Sequence, residues 1–174
     1  MSTQLRRHTL GDLLHRSAAR HPNKPAITCG ATHWTYGEFD QLCDSLAAGL
    51  VQHGVGKGDG VAVLARNSHG FAALRFALAR LGAVLVPINF MLKAEEVAYI
   101  LRHAGARTLA VDSGLSELGK AAAALDTSVK QFIWLPSEEP SQPIAGMLSF
   151  DELAACAAPI PEIELSGSDV AQIV

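Results

Sequence analysis

The 174-residue chain is 49% hydrophobic, which is enough to bury the core of one ordinary domain or of one domain with part of a second. Its formal net charge of −3 and its scattered lysines and arginines argue against nucleic acid as a partner, because such binding needs basic residues concentrated on one face. Its cysteines, Cys29, Cys43 and Cys156, are far apart and include no C-x-x-C pair, so we expect reduced, buried thiols rather than disulfides or a zinc site.

Targeting and membrane segments are not predicted. Arg6 and Arg7 are followed by polar residues instead of the apolar core of a signal peptide. The most apolar window carries Arg75 and Arg80, which argue against a membrane span. We therefore expect a cytoplasmic protein, and peripheral membrane contact stays open.

The first predicted elements are a helix and a hairpin. Thr9 can cap the helix, leucines line one of its faces, and the chain must leave it before Pro22. Two short extended runs, residues 26–29 and 33–36, flank a glycine and predict a small hairpin that lies outside any parallel sheet.

A second helix is predicted from Tyr36, because Thr35 and Glu38 have the spacing of a capping box. It should end near Gly54, where the glycine-rich run 54–60 begins. Alternating glycines can expose amides to a phosphate, but a phosphate-binding loop leaves a strand and opens a helix. This run leaves a helix and enters a strand, so we interpret it as a plain turn, with phosphate binding as the alternative.

From residue 61 onward, apolar strands alternate with helical segments and predict a βαβαβ unit that is extended by one more helix and strand. The strands are continuous apolar runs, which is typical of a parallel sheet covered on both faces. The fold class is therefore α/β, a three-layer, doubly wound, mostly parallel sheet with helices on both faces and a small N-terminal hairpin, as a truncated part of a larger multi-subdomain fold. The predicted strands are 61–65, 84–88, 108–111 and 131–135, and the predicted helices are 68–81, 94–103 and 115–125.

Two arginines in helix 68–81 are predicted to be solvated. The large apolar residues of this helix are spaced three and four apart, so they share one face. Arg80 falls opposite that face and Arg75 falls at its margin.

The strand 84–88 directs the search for a site, because Pro87 cannot donate a hydrogen bond to a further strand. The chain must leave the sheet there, so Asn89, Phe90 and Met91 project beyond the carboxyl end of the strand. Ligands of open α/β sheets bind at this edge where the strand order switches, which makes these three residues the candidate ligand contacts. The alternative is an ordinary strand-to-helix loop in which Phe90 and Met91 close the core.

After residue 135 the sequence becomes polar and rich in proline. A surface loop, a short helix capped by Ser149, a linker and the start of another buried strand are predicted at residues 136–143, 150–156, 159–167 and 169–174. We predict two parts, an α/β subdomain at residues 1–135 and a segment at residues 136–174 that leads into the next subdomain of a longer protein.

No catalytic or metal-binding constellation is recognised in the sequence. The seven histidines form no H-E-x-x-H, Ser168 does not lie in a G-x-S-x-G elbow, and no Walker A motif occurs. We expect the histidines at the surface or at helix ends. Neighbouring carboxylates such as Glu95 and Glu96 diverge on a helix and should be solvated. We therefore assign no catalytic residue, no cofactor-binding residue and no metal ligand within this stretch.

Four motifs carry a resemblance to a known family. They are TYGEF at residues 35–39, NS at 67–68, LGAVLVPIN at 81–89 and EEVAYIL at 95–101. In this order and spacing the chain resembles the N-terminal portion of the adenylate-forming (AMP-binding) superfamily, which includes acyl-CoA synthetases, luciferases and peptide-synthetase adenylation domains. Where amino-acid-activating members carry an aspartate and a proline-rich turn, this chain has Asn89 and KAEE, so it looks most like the acyl-CoA synthetase (fatty-acid CoA ligase) branch.

The resemblance implies a function for the full-length protein. It would use ATP, Mg²⁺ and coenzyme A to convert a carboxylic acid, expected to be a medium- or long-chain fatty acid, into an acyl-adenylate and then an acyl-CoA thioester. A homo-oligomer is expected. The isolated chain would be inactive and would bind none of these cofactors tightly. The alternatives are a standalone, non-catalytic α/β interaction module of the same fold and another adenylate-forming enzyme, such as an aryl-CoA ligase.

The resemblance also implies where the chemistry lies. The phosphate-binding loop, the adenine pocket, the metal-binding glutamate and the catalytic lysine would all follow Val174, which leaves Asn89, Phe90 and Met91 as the substrate- or CoA-proximal residues of this chain. Met91 stands where many members of the branch have an arginine near the CoA nucleotide, and a thioether cannot pair with a phosphate. Lys93 replaces a helix-capping threonine, so that cap should be weaker.

Overall fold

The computed structural model describes residues 9–174, so Arg6 and Arg7, with the signal-peptide prediction made from them, lie outside the described residues. The elements in chain order are α1 (Leu10–Arg20), β1 (Pro25–Cys29), β2 (Thr32–Thr35), α2 (Tyr36–Gln52), β3 (Gly60–Leu64), α3 (His69–Leu81), β4 (Val84–Pro87), α4 (Ala94–His103), β5 (Thr108–Asp112), a 3₁₀ turn (Ser113–Leu115), α5 (Ser116–Ala123), β6 (Gln131–Leu135), β7 (Leu148–Ser149) and α6 (Phe150–Ala154).

Several helices begin where the sequence predicts a side-chain cap. Thr9, Thr35 and Ser149 each accept a hydrogen bond from the third residue of the following helix, and the carboxylate at that position bonds back to the cap backbone. Ser68 accepts from the amide of Phe71 at the start of α3. Helix α4 lacks a side-chain cap at Lys93, as predicted, because an ammonium group has no acceptor.

The main sheet has five parallel strands in the order β4-β3-β5-β6-β7, and β1 and β2 form a separate antiparallel hairpin. Strand β3 is an inner strand, since Val61 pairs with Leu85 of β4 on one side and with Thr108 of β5 on the other. The prediction of a doubly wound α/β sheet with a small hairpin is confirmed.

Helices cover both faces of this sheet, as the continuous apolar strands predicted. Val61 and Val63 of β3 point into a core formed with α1, α2, α3 and α6, whereas Ala62 and Leu64 point into a second core formed with α4 and α5. All four side chains are at most 1% exposed. The structure therefore has three layers, and among the described residues no helix is long and apolar enough to span a membrane.

The last part of the chain departs from its predicted structure. Residues 169–174 form a single bridge, between Gln172 and Leu85, instead of a buried strand, and Val170 and Ile173 are 56% and 47% exposed. The bridge consists of two backbone hydrogen bonds, from the amide of Leu85 to the carbonyl of Ala171 and from the amide of Ile173 to the carbonyl of Leu85, both at 3.0 Å. The structure also adds β7 to the sheet and ends α6 at Ala154.

Arg80 contradicts the prediction of a solvated side chain. Only 10% of its side chain is exposed, and its guanidinium donates to the carboxylates of Asp40 and Asp44 on α2. Helix α1 covers it, and a Cβ at Gly11 would lie 3.2 Å from Cγ of Arg80. Burial alone would lower the pKa of Arg80, but the charges of Asp44 and Asp40 raise it above its ordinary value. The spacing within α3 could not reveal this contact, since it depends on where α1 docks.

We expect Arg80→Ala to lower the free energy of unfolding by about 3 kcal/mol, because it leaves the buried carboxylate of Asp40 without its guanidinium partner. Chemical denaturation measures this change. Arg75→Ala, on the exposed side of the same helix, is the matched control and should stay within about 0.5 kcal/mol of the wild type. Equal losses for the two variants would contradict a structural role for the buried ion pair.

His69 is a second buried polar residue. It begins α3, is 8% exposed and lies edge-on to Trp34 with the ring centroids 5.3 Å apart. Its Nδ1 has no hydrogen-bond partner among the described residues. Burial lowers the pKa of His69, and the nearby charge of Asp151 opposes this shift only in part.

This lowered pKa predicts a loss of stability in acid. Below about pH 6.5 the unfolded chain binds a proton at His69 that the folded chain resists, so the free energy of unfolding should fall as the pH drops from 7 to 5. Urea denaturation at each pH should show a smaller fall for His69→Gln than for the wild type. The exposed His33→Gln is the control and should keep the wild-type slope. An unchanged slope in His69→Gln would remove His69 as the cause.

Candidate functional site at the carboxyl edge of the sheet

The strand order creates a switch point between β3 and β5. From β3 the chain crosses to β4 on one side, and from β4 it returns across β3 to β5 on the other side. Loops that leave two such neighbouring strands run in opposite directions and open a crevice at the carboxyl edge. Residues 65–68 follow β3, residues 113–115 follow β5, and the predicted candidates Asn89, Phe90 and Met91 follow β4 next to them.

Of the three predicted candidates, Asn89 stabilises its own loop, whereas Phe90 and Met91 are exposed. Asn89 shapes its own loop, because its Oδ1 accepts from the amide of Met91 at 3.0 Å and its carbonyl accepts from the amide of Leu92 at 3.2 Å. Phe90 and Met91 are 44% and 79% exposed. The alternative in which these two side chains close the core is therefore wrong, while a role in ligand contact stays a prediction.

Arg66 belongs to this edge, and the sequence analysis missed it. Its side chain is 56% exposed, and its ζ carbon lies 5.8 Å from the centroid of the Phe90 ring. Its backbone amide donates to Oδ2 of Asp112 at 2.9 Å, and its Nη1 lies 3.6 Å from Oδ1 of the same carboxylate. Arg66 thus contacts the loops after β4 and β5 from the loop after β3. The sequence signal that could have identified Arg66 is a cationic residue two positions after a buried strand.

The buried carboxylate of Asp112 joins the loops on the two sides of the crevice. It is 1% exposed, and besides the amide of Arg66 it accepts the amide of Leu115 at 3.0 Å, which closes the 3₁₀ turn. The next residue, Ser113, accepts a hydrogen bond at 2.8 Å from Nε1 of Trp134 on β6. Contacts at this edge therefore join the loops after β3, β4 and β5, and Trp134 ties the loop after β5 to β6.

Gly114 leaves space for the arginine. A Cβ at this position would lie 2.8 Å from Nη1 of Arg66, so any larger residue would displace the guanidinium. The guanidinium thus occupies a defined position between the backbone of Gly114, the carboxylate of Asp112 and the ring of Phe90.

This arrangement suits binding more than bond cleavage. The edge offers a guanidinium, an aromatic ring and a thioether, while both oxygens of Asp112 are occupied by backbone amides. Among residues 9–174 no three His, Cys, Asp or Glu side chains gather where they could hold a metal ion.

The glycine-rich run lies at the opposite, amino-terminal edge of the sheet, where it borders a cavity of about 440 Å³. The run leads from α2 into β3, as the turn interpretation predicted. At least five of its amides are already used. Gly58 donates to the carbonyl of Gly82 and Gly56 donates to Asp59, both at 2.8 Å, and the amides of Gly54, Val55 and Asp59 donate to backbone carbonyls. Its backbone therefore offers little to a phosphate.

The cysteines are free, as expected, but they are not all buried. Cys43 lies in the core, where burial raises the pKa of its thiol to about 12. Cys29 and Cys156 are only partly buried, so the prediction of three buried thiols is wrong for these two. Both lie in segments with one solvent-facing side, the hairpin and the end of α6.

Comparison with known proteins identifies the family of the chain. Residues 14–174 match the family of AMP-binding enzymes. The Bacillus subtilis protein YngI, described as a candidate acyl-CoA synthetase, is 39% identical over 105 residues, which are 59% of this chain and 19% of YngI. The 2,3-dihydroxybenzoate-AMP ligase of Bacillus subtilis is 39% identical over 108 residues, which are 62% of this chain and 20% of that ligase.

The fold of this chain also matches that of a solved ligase structure. A long-chain-fatty-acid-CoA ligase of Archaeoglobus fulgidus superposes with a TM-score of 0.80 at 26% identity, covering 98% of this chain and 35% of that one. This chain spans about a fifth of the length of the two curated relatives that it matches.

The geometry of the edge predicts that Asp112→Asn will loosen it, because an amide nitrogen cannot accept one of the two backbone hydrogen bonds. We expect a loss of about 1–3 kcal/mol in the free energy of unfolding and faster hydrogen exchange at the amides of Arg66 and Leu115. Exchange measured by NMR checks this. Asp126→Asn, an exposed isosteric change, should leave both amides unaffected. Unchanged exchange in Asp112→Asn would mean that the carboxylate does not set the loop geometry.

Proposed function

The chain belongs to the AMP-binding enzyme family, as its motifs predicted, and on this premise we propose that it is the N-terminal portion of an ATP-dependent acyl-CoA synthetase. Such a ligase works in two steps. The carboxylate attacks ATP to form an acyl-adenylate with release of pyrophosphate, and the thiol of CoA then displaces AMP to form the thioester. The observation that carries the proposal is the continuous family match over residues 14–174.

The acyl-CoA branch is supported by sequence and by the relatives. Asn89 and the KAEE segment at residues 93–96 stand where amino-acid-activating members have an aspartate and a proline-rich turn. YngI is described as a candidate acyl-CoA synthetase, and the superposed Archaeoglobus enzyme is a long-chain-fatty-acid-CoA ligase. We infer a medium- or long-chain fatty acid as substrate, in a cytoplasmic homo-oligomer that takes part in fatty-acid metabolism.

This portion would position substrates without reacting with them. Asn89 fixes the loop after β4, and the exposed side chains of Phe90 and Met91 offer apolar contacts to the acyl chain or to CoA. The described residues gather no carboxylates that fit Mg²⁺. From the family resemblance we expect the nucleotide-binding loop and the metal ligands to follow Val174, and the 174-residue chain to be inactive alone.

An aryl acid is the second candidate substrate. The 2,3-dihydroxybenzoate-AMP ligase is as similar to this chain, at 39% identity, as the acyl-CoA synthetase candidate. A non-catalytic module of the same fold is the alternative from a different functional class.

The test compares the full-length protein with the 174-residue chain. The full-length protein should exchange pyrophosphate into ATP only when a carboxylate is present, and should form a thioester only when CoA is added as well. The 174-residue chain should do neither. Isotope exchange and chromatographic detection of the thioester measure these activities with straight-chain acids of graded length, benzoate and 2,3-dihydroxybenzoate.

Each result supports or refutes one of the candidate functions. Turnover of straight-chain acids alone supports the acyl-CoA synthetase, and turnover of the two aromatic acids alone supports an aryl ligase. Pyrophosphate exchange catalysed by the 174-residue chain would refute the proposal that this chain is inactive alone. Inactivity of the full-length protein with every acid would favour the non-catalytic module.

A further inference from the structure

We propose that Arg66 is a phosphate-binding residue at the carboxyl edge of the sheet, where its guanidinium contacts a phosphate group of ATP or of CoA. The inference rests on the proposed function, which supplies two phosphate-bearing substrates. It assigns to this chain a charged substrate contact that its motifs do not contain.

The first argument is position. Arg66 is the second residue after β3, the strand that lies between β4 and β5 at the switch point. The crevice formed there by diverging loops is where open α/β sheets bind their ligands. Arg66 contacts the loops from both neighbouring strands, through Phe90 on one side and Asp112 on the other, so its head group lies at the mouth of the crevice.

The second argument is preorganisation. A free arginine loses about 2 kcal/mol of rotamer entropy when its side chain is fixed, and this loss weakens any contact that it makes. Here the backbone of Arg66 is already bonded to Asp112, and its guanidinium lies beside the ring of Phe90 and above the bare backbone of Gly114. The side chain of Arg66 has therefore already lost much of its rotamer entropy before a ligand binds.

The third argument is the unused hydrogen-bonding capacity of the side chain. Among the described residues the guanidinium of Arg66 makes no hydrogen bond, and its nearest carboxylate oxygen, Oδ1 of Asp112, is 3.6 Å away. That carboxylate accepts two backbone amides instead. Arg80 shows what a structural arginine looks like in this protein, since it is 10% exposed and donates to two aspartates.

The fourth argument concerns the chemistry of the ligand. A guanidinium has a planar set of donors that matches two oxygens of a phosphate, and it keeps its charge at every physiological pH. Met91, on the adjoining loop, has only a thioether to offer a phosphate. Lys93, two residues further on, lies at the start of α4 rather than at the end of a strand. Arg66 is the cation whose contacts hold it at the mouth of the crevice.

The test is the binding of ATP and of CoA to the full-length protein, measured by titration calorimetry for the wild type, Arg66→Gln and Arg66→Lys. Arg66→Gln should raise the Kd of one nucleotide roughly tenfold to hundredfold and should flatten the salt dependence of that Kd. Arg66→Lys should recover part of the affinity because it keeps the charge. A loss confined to CoA assigns the phosphate to CoA, and a loss confined to ATP assigns it to ATP.

The matched control is Arg75→Gln, which removes the same charge from an exposed position on α3 and should leave both affinities unchanged. Arg66→Lys keeps a cation beside the buried carboxylate of Asp112 and should keep the wild-type unfolding temperature, whereas Arg66→Gln should lower it without unfolding the protein at the temperature of the titration. Equal Kd values for the wild type and Arg66→Gln, or a wild type that binds neither nucleotide, would overturn the proposal.

Thioester formation by the same preparations separates this inference from the proposed function. A wild type that forms acyl-CoA, with an Arg66→Gln variant whose KM values for ATP and CoA are unchanged, would refute only the arginine contact. A wild type that forms neither acyl-adenylate nor acyl-CoA from any acid would refute the proposed function, while the calorimetry would still decide whether Arg66 binds phosphate.

Discussion

The geometry of the candidate site depends on one buried carboxylate. Asp112 ends β5, is 1% exposed, and accepts backbone amides from the loop after β3 and from the turn after β5. These loops leave neighbouring strands in opposite directions, so an acceptor that joins them sets the width of the crevice between them. A buried acceptor with both oxygens occupied also favours one loop arrangement, because any other would leave a charge unpaired in the core.

Two arginines illustrate how burial separates structural charges from available ones. Arg80 contacts α1 and α2, its charge is neutralised by Asp40 and Asp44, and only 10% of its side chain is exposed, so it stabilises helix docking and is not accessible to a ligand. Arg66 is held beside Asp112 but keeps its donors open to solvent. Both follow apolar segments, and only the packing around each distinguishes their roles.

The comparisons relate this chain to proteins that are named for different acids. The two curated relatives share 39% identity with this chain, although their names give different kinds of acid. The stretch that this chain shares with them is therefore common to relatives whose names differ in the acid. Its carboxyl edge presents a guanidinium, an aromatic ring and a thioether.

The sequence by itself determined most of the elements up to residue 135, the fold class and the family. Capping residues such as Thr35 and Ser149 and the continuous apolar strands act locally, so their consequences can be read without knowing what lies nearby in space. The sequence also placed Asn89, Phe90 and Met91 beyond a strand end, because Pro87 forces the chain out of the sheet there. Only the tertiary structure decided which strand lies in the centre, that α1 buries Arg80, and that Arg66 meets Asp112 across 46 residues of chain. These facts depend on strand order and helix docking, which bring distant residues together and leave no periodic pattern in the sequence.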